Sequence, residues 1–491
     1  MATMATDVSD AVVQVRSFID GEWVDGAGEK IEIRHPADGN VVSRVAHGDA
    51  DDVSRAVEAA DRARGSWARE HVAIRGALIK QAADLLEARV EEAAALCSAE
   101  MGKAIREARE EAAATPEYMR ILADDALRQT GTTAHNMWDP SQRKRVLSVP
   151  VPRGVVGILT PWNFPLAIPI ENIVAALATG NTVVWKPSEV TPGCSQIVMD
   201  TFAQAGLPAG VMNLVQGAGP AGAALVEDPR VAMISFTGST ATGRRIAAAA
   251  GVKKLLLELG GNGPVILMED ANVDAAVEAC VHACFYVGGQ CCTAAERILV
   301  HSSIHDEFAD KLAAAVRELK VGDPFDEETD VGPLAIQSSI DKTVRHIRDA
   351  KEKGATVVVG GEQEGMYHDP TVLTGVTSDM EIAWEETFGP VAPIIKFETA
   401  DEALEIANDC AYGLNMAVWT ASLKTAWEMA EGLEAGTVHV NETTNHWELF
   451  APFGGVKQSG VGRINGDDSL REYTAPKQIT FDLDKAVPSQ V

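Results

Sequence analysis

Between Gly154 and Glu258 short apolar runs alternate with longer stretches whose apolar residues recur at helical spacing. Strands are predicted at 155–159, 182–185, 211–215, 232–236 and 254–257, and helices at 168–179, 192–205, 218–227 and 240–249. Strands that are apolar on both faces and separated by helices belong to a parallel sheet covered on both sides. Such sheets take ligands beyond the carboxyl ends of their strands. The loops there are 160–165, 186–189, 216–219 and 237–240. Upstream, 17–45 reads as short strands and turns, with the Asp20-Gly21 turn signal between apolar residues. From Ala50 to about Arg128 the pattern is helical, and its apolar stripes are expected to pack on the sheet. Residues 143–151 alternate like an exposed strand.

A second α/β unit is predicted from about 259 to 440. A helix starts near Val273, a strand covers 297–301, helices fall near 303–319 and 336–353, and strands near 356–359, 391–397, 414–419 and 436–440. The tail, 478–483, reads as a strand with no partner nearby in sequence, so it is expected to complete a sheet in another domain or subunit. At 491 residues the chain is too long for one core, and two large domains are expected.

The formal charge of −29 argues against nucleic acid and anionic membrane as partners and is read as a dispersed acidic surface. Seven cysteines, with no C-x-x-C pair, suit a reducing, cytoplasmic setting and give no metal signature. Cys280 and Cys284 share one helical face as packing residues. The first residues lack a basic stretch and an apolar core, and no apolar run reaches membrane-spanning length.

Several short stretches carry candidate chemistry. Gly217-Ala-Gly219-Pro-Ala-Gly222 matches the G-x-G-x-x-G dinucleotide pattern, yet no acidic residue lies between Val231 and Lys254, where the ribose partner belongs. Either another geometry holds the cofactor or the glycines are only a turn. In Thr160-Pro-Trp-Asn-Phe-Pro165, Asn163 can offer an amide donor to an oxyanion, or the loop is a rigid turn. In Phe236-Thr-Gly-Ser-Thr240, Gly238 and Ser239 suit a phosphate at a helix start, or a plain cap. Glu258 closes an apolar strand before Gly260-Gly261, as a base with a raised pKa or as an exposed strand end. After Gly288-Gly289, Cys291 and Cys292 offer a nucleophile, or two buried small side chains. The loops around Glu386-Thr-Phe388 and Pro452-Phe-Gly-Gly gain meaning only in this company.

Taken in order, these motifs resemble the NAD(P)-dependent aldehyde dehydrogenase superfamily over nearly the whole chain. The resemblance implies an α/β fold of two Rossmann-like domains plus a small β oligomerisation arm. Residues 1–128 and 149–258, rejoined by about 448–470, would bind NAD; 259–447 would be catalytic; 129–148 and 471–491 would form the arm of a homodimer or homotetramer. It implies Cys292 as nucleophile, Glu258 as general base, and Asn163 with the Cys292 backbone N–H as oxyanion hole. Lys186, Ser188 and Glu189 would meet the adenosine ribose; Gly219, Phe236, Gly238 and Ser239 the rest of the dinucleotide, with Ser239 at the pyrophosphate. Glu386 would hold the nicotinamide ribose, with Phe388, Thr160, Trp162 and Leu259 beside the cofactor. A carboxylate at Glu189 favours NAD over NADP. Phe164, Tyr286, Cys291, Thr293 and Trp447 would shape the aldehyde pocket, and no metal is implied.

Two departures stand out. The position after Glu-Leu-Gly-Gly, often lysine in that family, is Asn262. No arginine is placed for a substrate carboxylate, so a semialdehyde, an aromatic aldehyde and a hydroxyaldehyde all stay open. His446 and Glu448 read as solvated loop residues. A coenzyme A-acylating enzyme is disfavoured by the presence of Glu258, and a silent structural relative by the filled catalytic positions.

Overall fold

The computed structural model describes residues 12–135 and 143–483. The expected arm segments 136–142 and 484–491, and residues 1–11 of the expected first domain, lie outside them.

The alternating region forms an eight-stranded sheet with a parallel centre. Its order is Gly460–Val461, Lys254–Glu258, Val231–Thr237, Val155–Leu159, Thr182–Lys186, Met212–Leu214, Ser17–Ile19 and Glu22–Val24. From Val155–Leu159 the chain builds first to one side and then returns to build to the other. The crevice outside the carboxyl ends of this switch is where an α/β sheet takes its ligand. The two outer additions are antiparallel. At the Asp20-Gly21 turn both residues have positive φ, +55° and +88°, the backbone a two-residue hairpin requires.

Nine helices are needed to place the site: α1 (Ala50–Arg69), α2 (Val72–Glu87), α3 (Val90–Met101), α4 (Ile105–Arg128), α5 (Ala167–Ala178), α6 (Pro192–Gln204), α7 (Gly219–Glu227), α8 (Thr240–Ala249) and α9 (Val273–Phe285). Of the first four, only α1 lies on the sheet. Helices α2–α4 pack on one another and on α5 and α6, which differs from the expectation that all four would cover the strands. The cause is visible in α5. From Pro169 to Ala178 it is buried on every side, so it needs an apolar layer on its outer face as well as the sheet beneath.

The second unit is a seven-stranded sheet, ordered Thr356–Val359, Thr371–Thr374, Val391–Phe397, Arg297–His301, Pro264–Leu267, Asn415–Trp419 and Thr437–Val440. All neighbours are parallel except the first pair. Two of these strands, Pro264–Leu267 and Thr371–Thr374, were not foreseen. Each is four residues long, too short to show a period. The tail strand, Thr474–Asp482, finds its partner in its own chain: it runs antiparallel to Lys144–Pro152, with Thr474 opposite Pro152 and Asp482 opposite Lys144. Thr132–Ala134 adds a third strand. No helix among the described residues is long and apolar enough to cross a membrane.

Candidate active site

The two sheets face each other across a cavity of about 1070 Å³. The first sheet supplies its carboxyl-end loops. Leu159, Thr160, Trp162 and Asn163 come from one, Lys186, Ser188 and Glu189 from the next, and Gly219, Phe236, Gly238 and Ser239 from the two βα turns beyond; Glu258 and Leu259 follow. The second unit contributes Cys292, Glu386 and Phe388. Every residue expected to catalyse or to hold the cofactor therefore meets in one cavity.

Cys292 stands in a turn fixed from several directions. After α9, Val287, Gly288 and Gly289 take consecutive left-handed conformations, with φ of +54°, +62° and +72°. A Cβ at Gly289 would lie 2.2 Å from the Gly389 carbonyl oxygen, so only glycine fits. Val287 holds the left-handed state despite its branched side chain, a strain of roughly 1–3 kcal/mol. Neighbouring groups compensate. The Val287 N–H donates to Glu107 Oε1 at 2.9 Å, Gln290 Nε2 donates to the Val287 carbonyl at 3.0 Å, and the Ala335 N–H donates to Gln290 Oε1 at 3.0 Å. Asn163 Nδ2 donates to the Gln290 carbonyl at 3.0 Å. That bond places the amide expected in the oxyanion hole two residues from the thiol.

The two cysteines are not equivalent. Cys291 is buried, with its Sγ 3.0 Å from Thr293 Oγ1, and is absent from the cavity wall; Cys292 is half-buried and lines it. Their electrostatics point the other way. Contact with Cys292 pulls the Cys291 thiol down to about 7, outweighing the burial that pushes it up. The Cys291 contact, burial and the carboxylates of Glu386 and Glu258 hold Cys292 well above the usual thiol value. The two thiols hydrogen-bond to each other, so access decides between them: only Cys292 reaches the cavity, and its raised pKa keeps it a thiol until a positive charge comes near.

Glu258 is 5% exposed, and neither carboxylate oxygen has a hydrogen-bond partner. Burial first, and the charges of Glu171 and Glu472, hold it well above the ordinary carboxylate range against the pull of Arg463. A Cβ at Gly454 would fall 2.7 Å from Glu258 Oε1. The Pro-Phe-Gly-Gly loop thus leaves room for this side chain. The Gly260-Gly261 pair serves Glu386 in the same way: the Gly261 N–H donates to Glu386 Oε1 at 2.9 Å, and a Cβ at Gly260 would fall 2.7 Å from Oε2.

The cofactor side is equally built. Lys186 Nζ is buried, donates to the Pro187 carbonyl and to the Gly217 carbonyl at 2.6 Å, and lies 3.9 Å from Glu189 Oε2. Burial lowers its pKa to about 8. Ser239 caps α8, accepting from the Thr242 N–H at 3.3 Å. Phe388 meets Trp162 edge-on, with centroids 5.7 Å apart, and holds φ +57°. The buried carboxylate of Glu296 fixes that turn by accepting the N–H groups of Thr387 and Phe388 at 2.8 and 2.9 Å.

None of the five residues expected at the aldehyde pocket, Phe164, Tyr286, Cys291, Thr293 and Trp447, lines this cavity. Phe164 and Tyr286 stack at 6.1 Å, Trp447 packs on Phe453 at 4.4 Å, and Thr293 Oγ1 donates to Asn445 Oδ1 at 2.7 Å. His446 and Glu448 are exposed. Asn262 is fully buried, joining the Glu385 carbonyl at 3.2 Å and receiving Arg297 Nε on its own carbonyl at 3.0 Å. Sequence reasoning passed over Glu107, Glu111, Glu171 and Glu296, since carboxylates within helices and loops read as solvated positions.

A half-buried thiol, an amide donor and a buried carboxylate share a crevice at the carboxyl ends of a parallel sheet. This is the setting of an oxidoreductase of the α/β class. The aldehyde dehydrogenase family model matches residues 23–479. The chain is 40% identical over 479 residues to the mitochondrial succinate-semialdehyde dehydrogenase of Arabidopsis thaliana, covering 96% of this chain and 90% of that one. It is likewise 40% identical to the alpha-ketoglutaric semialdehyde dehydrogenase of Bacillus subtilis, covering 94% and 97%. The crystal structure of an NAD-dependent aldehyde dehydrogenase from Sinorhizobium meliloti superposes with a TM-score of 0.94 at 37% identity, covering 100% of this chain and 98% of that one. The protein belongs to the aldehyde dehydrogenase family, and its reaction is the NAD(P)-linked oxidation of an aldehyde.

Proposed function

We propose that this enzyme releases a free carboxylic acid, using Cys292 as nucleophile, Glu258 as base and NAD as the preferred acceptor. The observation that carries it is the meeting of Cys292, Asn163, Glu258 and Glu386 in one cavity. Cys292 Sγ adds to the aldehyde carbon. Asn163 Nδ2 and the Cys292 backbone N–H stabilise the oxyanion. Glu386, Phe388 and Trp162 would hold a nicotinamide, which would supply the hydride acceptor and a positive charge to help the raised Cys292 thiol ionise. The thioester left on Cys292 is hydrolysed by water that Glu258 deprotonates. The exit of the acid restores the thiol.

The cavity suits the dinucleotide. The start of α8 offers N–H groups to a pyrophosphate, and Lys186 with Glu189 frames a ribose. Glu189 would set a carboxylate against a 2′-phosphate, which supports NAD over NADP. The two sheets support the expected division into a cofactor domain, residues 1–128 and 149–258 with 448–470, and a catalytic domain, residues 259–447. The three-stranded arm leaves strand edges on which dimers or tetramers can form. The seven unpaired thiols support a cytoplasmic setting.

The test is NAD and NADP reduction at 340 nm across a panel of aldehydes, with mass spectrometry of the trapped acyl-enzyme. Cys292→Ala is expected to abolish turnover, and the acyl group to sit on Cys292. An adduct on Cys291 alone, or a higher kcat/KM with NADP, refutes the corresponding claim.

A further inference from the structure

The half-buried rings beside the nucleophile hide an uncompensated acid. Glu171 lies on α5, one turn after Ile168, so the two side chains share a face. Ile168 lines the cavity that holds Cys292. Glu171 is 3% exposed, and its Oε2 has no hydrogen-bond partner. The Trp447 indole N–H beside it is also buried and approaches this carboxylate without reaching full hydrogen-bond geometry. Trp447 packs on Phe453, and the adjacent Gly454 abuts Glu258. Glu171, Trp447 and Glu258 are therefore neighbours, and each holds a buried polar atom that no group among the described residues fully satisfies. Orphans of this kind are rare inside a folded chain and mark a place built for something else.

Among the described residues no ion pair answers this carboxyl. The buried ammonium of Lys103 is bound to Glu111 Oε2 at 2.6 Å. Glu111 itself accepts the N–H groups of Leu166 and Ala167, so that pair is consumed in anchoring the start of α5. The other charges near these rings are mostly carboxylates. Glu111 and Glu448 join Glu171 around Tyr118, and Glu107, Glu110 and Glu111 surround Tyr286. Burial, with the charge of Glu111, pushes Glu171 up to about 8, so it takes a proton where a cation is lacking. Tyr118 and Trp447 offer ring faces, which attract alkylammonium groups, whereas Phe164 already has Lys103 Nζ 4.1 Å from its centroid and Tyr286 is stacked on His282 and Phe164.

We propose that Glu171 and the aromatic rings around it form a cation-binding subsite for the tail of the substrate, so that the preferred aldehydes carry an ammonium group. This rests on the aldehyde-oxidising reading and departs from the acidic semialdehydes named for the relatives above. A carboxylated tail would bring a like charge into a group of buried carboxylates, at a cost of several kcal/mol.

Two measurements decide it. Tetramethylammonium chloride is titrated calorimetrically into the wild-type enzyme and into Glu171→Gln. Binding that the substitution weakens about tenfold or more is expected; absence of binding, or equal binding to both, overturns the proposal. NADH formation is then compared for trimethylammonioacetaldehyde, its neutral isostere 3,3-dimethylbutanal, and 4-oxobutanoate. The cationic aldehyde is expected to exceed the isostere about tenfold or more in kcat/KM, mostly through KM, with 4-oxobutanoate poorest, and Glu171→Gln to bring the first two close together. Equal use of the first two, a preference for 4-oxobutanoate, or an unchanged ratio in the variant overturns it. If the enzyme uses other aldehydes of the panel but none of these three, the substrate preference is overturned; if it reduces neither NAD nor NADP with any aldehyde, the oxidation reading fails, while the titration still judges the subsite.

Discussion

Glu258 shows how a single side chain can be held ready by what surrounds it. Burial keeps its carboxyl protonated beyond the usual range, yet the role proposed for it in releasing the acid needs the carboxylate. Thioester hydrolysis is therefore expected to rise with pH through that elevated pKa. Glu258→Gln should remove this rising limb and slow release by roughly 10²–10⁴-fold. Stopped-flow traces should then show one turnover of NADH followed by a stall; a variant with unchanged steady-state turnover would take Glu258 out of the mechanism. Stability carries the same information with its own sign. A carboxyl whose folded pKa is raised favours the folded state fully below its unfolded pKa, and that contribution is lost as pH rises through the folded value. Each unit of elevation is worth about 1.4 kcal/mol. The glutamine variant should accordingly gain in Tm over the wild type as pH increases.

Among the elements, the turn between α9 and Cys292 is the most constrained. Gly289→Ala would combine a left-handed alanine with a Cβ driven into the Gly389 carbonyl. The expected destabilisation is about 2–5 kcal/mol, read from urea unfolding, with near-complete loss of turnover. A variant of wild-type stability would show that the turn relaxes without cost. This break in the helix was legible, since Gly288-Gly289 interrupts the apolar spacing of α9. The boundaries of α6, α7 and α8 were legible for the same reason, with proline, glycine and serine marking the helix starts. The placement of α2–α4 was not. An amphipathic stripe tells a helix to bury one face but does not say against what, and α5 took the place next to the sheet. The buried carboxylates were also silent. Glu111 and Glu296 are held inside by N–H groups more than fifty residues away in sequence, and no local pattern records such partners.

For the whole molecule, the two sheets were legible because apolar runs and helices alternate over long distances, and the motifs fell in the loops that an open parallel sheet makes available. The partner of the tail strand was less apparent. The alternation of 143–151 showed an exposed strand, and that of 478–483 another, but pairing between distant strands leaves no mark in either one. Deleting residues 474–491 should strip one side of Lys144–Pro152. Size-exclusion chromatography is expected to show a changed oligomer or aggregation, along with a lower Tm; an unaltered elution profile and melt would mean the arm supports neither assembly nor stability.

That pairing also orders events in time. Lys144–Pro152 leaves the ribosome more than three hundred residues before its partner Thr474–Asp482, and Gly460–Val461, which closes one margin of the first sheet against Lys254–Glu258, is equally late. At ordinary translation rates the wait is on the order of tens of seconds. During synthesis the nascent chain can bury the parallel centre of its first sheet but must carry two open strand edges until residues 460–482 emerge. Completion of the fold thus waits on a distant stretch of the message, and an earlier interruption yields a polypeptide with those edges bare, a substrate for chaperones rather than a smaller enzyme.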